Sequence, residues 1–208
     1  VKSVESVTER GTGARGKRGA RKRILDTAYD LFSHEGIRSV GVDRIIARSG
    51  VAKMSFYRHF PSKDALVLEF LELREERWTH DWLEAEVQRR ADQPADRLLA
   101  IFDVLDEWFH SDDFEGCAFM SVLLEMSDHG EVRHASVTRL AHIREFLCGL
   151  ATEAGAADPA RLARQWHMLM KGSIIAAQEG DLDAAENAQD VAALLLQREI
   201  GKSTGASA

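Results

Sequence analysis

A chain of 208 residues that is 45% hydrophobic and 29% charged has the makeup of a folded, water-soluble protein of one or two domains. No apolar run approaches the roughly 18 residues that a bilayer span needs, and the basic amino terminus lacks the apolar stretch of a secretory leader, so a cytoplasmic location is expected. The formal net charge of −7 argues against a nucleic-acid partner only as a total: residues 1–63 carry 14 Lys and Arg against 6 Asp and Glu, whereas residues 64–208 carry 13 against 28.

Residues 1–19 are rich in Gly, Ser, Thr and Arg without apolar periodicity, which predicts a flexible basic arm. Its cations, Arg15, Lys17 and Arg18, continue into Arg21, Lys22 and Arg23, and either track a phosphate backbone or solubilise a tail. From Arg21, Ile24, Leu25, Ala28, Leu31 and Phe32 recur at helical spacing, and Gly36 ends the helix. A second helix is predicted from Val42 to Ser49, burying Val42, Ile45 and Ile46. Gly50 makes a turn, Val51 plugs the core, and a third helix follows to His59. Pro61 stops it and Ser62 is placed to cap a fourth.

The fourth helix is long, carrying Leu66, Phe70, Leu73, Trp78 and Trp82 towards Arg90. Pro94 opens a helix with the stripe Leu98, Phe102, Leu105 and Phe109. Gly116 to Met126 reads as a short apolar helix, and Val132 to Ala154 as a longer one burying Val137, Leu140, Ile143, Leu147 and Leu150. Asp158-Pro159 is an N-cap followed by proline at the first helical position, opening a helix through Trp166, Met170 and Ile174 to Gln178. Gly180 breaks the chain before a last helix with Ala184, Ala188, Val191, Leu195 and Ile200. Strand-like alternation is missing throughout, so the fold class is all-α. Cys117 and Cys148 lie in apolar patterns and read as buried reduced thiols.

The stretch from Ser39 to Lys63 has the makeup of a helix-turn-helix, whose second helix enters the major groove while the first braces it. Val51, Phe56 and Phe60 face inward against Ile24, Ala28, Leu31 and Ile45. That leaves Lys53, Met54, Ser55, Tyr57, Arg58 and His59 outward. Lys53 and Tyr57 lie one turn apart, suited to two phosphate contacts. Arg44 and Arg48 project from the bracing helix, and Lys63 sits in the first turn of the fourth.

Residues 20–66 resemble the DNA-binding domain of the TetR (tetracycline-repressor) family of transcriptional regulators. The likeness runs through Ala28, Phe32, Gly36, Val42, Ile45, Ala47, Gly50-Val51 and the run from Phe56 to Lys63. It implies that Lys53, Tyr57, His59 and Lys63 grip phosphates and that Met54 and Ser55 lie near base edges. Gly41 stands where the family has a capping Ser or Thr, Ala52 lacks the usual hydroxyl, and Met54 replaces a small residue and suits a thymine methyl. The resemblance further implies a helical regulatory domain with a ligand cavity, ending in two helices that pair with a second subunit.

The domain plan is therefore an arm at 1–19, a three-helix helix-turn-helix domain at 20–63, and a larger helical domain for ligand binding and dimerisation at 64–208. The expected cavity is bounded by the fourth helix and by Trp82, Phe102, Phe119, Glu125, His142, Trp166 and Met170. Glu125 is the carboxylate within the apolar run from Phe119 to Met126, and if buried it favours a ligand with an amine, hydroxyl or metal. His129, His134, His142 and His167 show no compact ligand spacing, so neither a cofactor nor a metal is expected. The helix from Ala160 to Gln178 is apolar on more than one side, with Met168 and Ile175 opposite Leu162, Trp166, Met170 and Ile174, and small Gly172 and Ala176 permit close approach. The last helix adds Ala184, Ala188, Val191 and Leu195 to the same surface. The two helices predict a homodimer through a four-helix bundle. The expected function is a repressor released from a double-stranded DNA operator by a small molecule, with no enzymatic activity. A constitutive DNA binder and a metal-dependent hydrolase are the alternatives.

Overall fold

In the computed structural model, which describes the backbone of residues 12–126 and 130–205 and the side chains of residues 19–126 and 130–200, helices form wherever apolar residues recur every three or four positions. Among the described residues there is no strand. The chain divides into two compact units, residues 1–70 and 71–208.

The first unit is built on α1 (Thr12–Glu35), α2 (Val42–Ser49) and α3 (Lys53–His59), with the start of α4 (Lys63–Arg74). Helix α1 begins at Thr12, so residues 12–19 of the expected arm are helical; residues 1–11 lie outside the described residues. Ile24, Ala28, Leu31, Ile45, Phe56 and Phe60 are almost fully buried and form its core. Val42 and Ile46 are half-buried rather than buried, because α2 is eight residues long and only Ile45 points straight at α1. Gly50 closes α2 in the left-handed conformation at φ 64°, which lets α3 start two residues later. The Ser62 hydroxyl accepts from the Ala65 amide at 3.1 Å and caps α4.

The second unit continues through a π-helical stretch (Glu75–Glu84), α5 (Ala85–Arg90), α6 (Pro94–Phe109), α7 (Ala118–Glu125), α8 (Glu131–Glu153), α9 (Pro159–Gln178) and α10 (Ala184–Gly205). The single long fourth helix expected from the sequence is thus interrupted by wider turns. Buried Glu75, Thr79 and Leu83 recur every four residues there, a spacing that a wider turn keeps on one face. Leu98, Phe102, Leu105, Leu140, Leu147, Leu162, Trp166 and Met170 fill the core where α6, α8 and α9 meet. Cys117 precedes α7 as its N-cap rather than lying within it, and its thiol is buried; Cys148 is half-buried, and both are free. Val137 is 43% exposed against expectation, since α8 turns that side away from its neighbours.

Candidate functional site

Helix α3 presents its outward residues in graded fashion. Met54 is 81% exposed, Tyr57 42%, and Lys53 and Arg58 are exposed as well, while Ser55 and His59 are half-buried. Burial of Phe56 and Phe60 sets this pattern by fixing which face of α3 turns inward, and the Phe56 ring meets Tyr57 edge-on at 5.3 Å and tilts against Phe60 at 6.1 Å. Arg58 donates to the Ser55 hydroxyl at 3.2 Å. Gly41 caps α2 with φ −79° and ψ 151° and offers no side-chain bond to its first amides, while its carbonyl accepts from the Arg44 amide at 3.1 Å.

The remaining sequence-predicted cations are already engaged within the unit. Arg44 forks onto Glu35, with one bond at 2.7 Å, and Arg48 reaches Asp30 at 2.6 Å. The Arg44 guanidinium holds the Glu35 carboxyl below the usual carboxylate range. Lys53 lies 3.3 Å from Asp43, both side chains being well exposed. Lys63 turns inward: its ammonium donates to the Ile37 carbonyl and sits 5.9 Å from the Phe32 ring centre. Nor is α1 idle. Arg21 pairs with Glu69 and covers the Phe60 ring at 5.4 Å, Lys22 pairs with Asp26 at 2.6 Å, and Arg23 donates to the Ser49 carbonyl at 3.3 Å. Apart from Lys22 and Asp26, four residues apart on one helix, these partners come from different elements, and residue spacing did not signal them.

In the second unit the residues expected around a cavity divide into core and rim. Phe102, Phe119, Trp166 and Met170 are at most 2% exposed. The Trp166 indole donates to the Leu98 carbonyl at 3.1 Å and its ring lies 5.6 Å from Phe102, so this pair ties α9 to α6. Trp82 joins Trp78 and Trp108 in an aromatic cluster with centres 5.2 to 5.9 Å apart. His142 is instead bound to Glu75, Nδ1 to Oε1 at 2.6 Å, and Arg139 meets the other oxygen at 2.7 Å. Glu125, the last residue of α7, is half-buried. His129 lies outside the described residues, and among those described no three His, Cys, Asp or Glu gather to hold a metal ion. A shallow groove of about 180 Å³ between α6 and α10 is lined by Phe102, Asp103, Asp106, Glu107, Glu186 and Gln189.

The apolar residues that the second unit leaves exposed concentrate on its last two helices. Met168 is 71% exposed and Ile175 41% on α9, and Leu194 is 67% and Val191 47% on α10. Ala184 and Ala188, expected on that face, are buried within the protomer.

A sequence profile described as "Bacterial regulatory proteins, tetR family" matches residues 24–70. The regulator YjdC of Escherichia coli is 24% identical over 180 residues, covering 82% of this chain and 92% of its own. The repressor KstR2 of Rhodococcus jostii is 41% identical over 56 residues, which is 28% of its length. Among crystal structures, that of SCO4454, a TetR-family transcriptional regulator from Streptomyces coelicolor, superposes with a TM-score of 0.80 at 27% identity, covering 88% of this chain and 97% of the other.

Proposed function

Because the chain belongs to the TetR family of bacterial regulatory proteins and is a DNA-binding transcriptional regulator, we propose that it is a homodimeric repressor that leaves its operator when a small molecule enters the second unit. The observation that carries the DNA-binding half is α3. A helix held by buried Phe56, with an exposed thioether at Met54 flanked by Lys53 and Tyr57, has one group suited to reading bases and two suited to holding phosphates. The apolar strips on α9 and α10 support pairing of two copies, and a dimer that occupies successive major grooves needs its two recognition helices roughly 34–36 Å apart. The repressor sense rests on the likeness to relatives such as the repressor KstR2, and the effector response on family membership.

The test compares variants on a panel of duplexes. Lys53→Ala weakens binding to every sequence alike and lowers the salt slope by about 1, and Tyr57→Phe weakens all sequences equally. Met54→Ala shifts the ranking among operators instead. If all three variants lose the same factor on every duplex, the assignment of roles to α3 fails.

A further inference from the structure

The seam between α8 and α9 holds positive charge that no carboxylate among the described residues balances. His167 and Lys171 stand one turn apart on α9, and Arg144 reaches them from α8. Burial, followed by the charges of Lys171 and Arg144, holds the His167 imidazole down to about 3. Burial and Arg144 lower Lys171 in turn. Elsewhere in this unit Arg74 pairs with Glu115 at 3.1 Å, Arg139 with Glu75, and Arg161 with Glu199 at 2.5 Å, while Arg97 and Arg133 donate to backbone carbonyls. Arg144 donates to the Leu140 carbonyl of its own helix at 3.0 Å, and among the described residues no carboxylate meets either Arg144 or Lys171. His167 is 3% exposed, and its Nδ1 has no hydrogen-bond partner among the described residues. Cys117 adds no negative charge, since burial pushes its thiol up and keeps it protonated.

We propose that this seam binds the carboxylate end of a small organic effector, with Arg144 and Lys171 meeting its two oxygens and the His167 ring donating an N–H beneath them. The proposal deepens the effector-response reading and rests on it. Two cations side by side in a half-buried seam repel each other, and a buried ring nitrogen without a partner is disfavoured. A monoanion with two oxygens relieves both at once, through a guanidinium fork and an ammonium. A phosphate dianion would bring more desolvation than two cations and one neutral ring offset. An amine, the ligand that a buried Glu125 would favour, is repelled here. Met170 and Ile174, which follow His167 and Lys171 at three-residue spacing, are buried in the apolar core, so a tail extending inward from the seam would meet apolar side chains.

The test is a thermal-shift titration of the full chain with straight-chain carboxylates from acetate to decanoate and with benzoate, each beside its primary amide, and with inorganic phosphate. At a hundred times its Kd a bound carboxylate raises the midpoint by roughly 5–10 °C, while the amides and phosphate do not. Lys171→Met and Arg144→Met each raise the ligand-free midpoint by relieving repulsion, and weaken the carboxylate response at least about tenfold. Amides that match their acids, silence across the whole series, or a lower ligand-free midpoint in both variants overturns the site; the last result means the charge is already balanced, within the protomer or by a second copy. Operator release is followed in parallel. Carboxylate binding that depends on Lys171 but releases no DNA keeps the site and sinks the effector reading, whereas release by an uncharged compound in Lys171→Met does the reverse.

Discussion

Arg44 and Arg48 illustrate how an exposed cation can be only partly available to DNA. Each guanidinium is held by a carboxylate of α1, Glu35 or Asp30, and a phosphate must displace that partner to be gripped. Exposed pairs are weak, so exchange is feasible, but the carboxylate also repels the incoming backbone. Glu35→Gln is therefore expected to tighten binding to any duplex, roughly 1.5- to 5-fold at low salt, as read by fluorescence anisotropy; unchanged or weaker binding would show that Arg44 does not reach phosphate. Two glycines of the same unit make opposite demands. Gly50, at φ 64°, sits where a Cβ is strained, and Gly50→Ala should cost about 1–2 kcal/mol in a denaturant titration. Gly41 has ordinary extended dihedrals and open space around the Cβ position, so Gly41→Ser should stabilise by a few tenths of a kcal/mol through a new cap.

At the scale of elements, α9 concentrates the sharpest dependences. Its start rests on the Asp158 carboxylate accepting from the Arg161 amide at 2.9 Å, ahead of proline at the first position. Asp158→Ala should cost about 1 kcal/mol. Its middle carries His167, whose ring stays neutral in the folded state down to about pH 3 while an unfolded histidine takes a proton near 6.5. The unfolded chain therefore binds more protons below pH 6.5, so the stability from the neutral ring is complete above that pH. It is lost progressively as pH falls towards about 3, at up to about 1.4 kcal/mol per pH unit. His167→Phe should flatten that stretch of the stability curve, and an unchanged slope would refute the assignment. Helix ends were legible in the sequence because local chemistry sets them: Gly50, Pro61, Ser62, Pro94 and Asp158-Pro159 all mark boundaries that the structure keeps. The π-helical turns at Glu75–Glu84 were not, since a change of hydrogen-bond partner leaves no mark on composition. The outward face of α3 followed from the spacing of Phe56 and Phe60. The anchoring of Arg44, Arg48, Lys63 and His142 did not, because their partners come from other helices or loops.

For the whole molecule, periodicity could show that α9 is apolar on several sides and that α10 adds apolar residues, but not which side each residue serves. Ala184 and Ala188 proved to face the protomer's own core, whereas Met168, Ile175, Val191 and Leu194 face outward. Met168→Glu combined with Leu194→Glu is expected to leave each protomer folded and convert the dimer to a monomer in sedimentation velocity. Operator affinity should then fall at least about a hundredfold, because the second half-site contact is no longer intramolecular. A double variant that remains dimeric would place the interface elsewhere.

The opposed charge of the two units carries a colloidal consequence. Residues 1–70 hold 14 basic against 8 acidic residues, and residues 71–208 hold 13 against 26, so near neutral pH every molecule is both an anion and a cation exchanger. In dilute buffer without nucleic acid, the basic unit of one copy will seek the acidic unit of another, giving a reversible, head-to-tail clustering that ordinary buffer salt dissolves within a screening length of about 10 Å at 0.1 M. The second virial coefficient from light scattering should therefore rise with added salt, against the fall expected of a uniformly like-charged particle, and operator duplex should abolish the attraction by claiming the basic surface first.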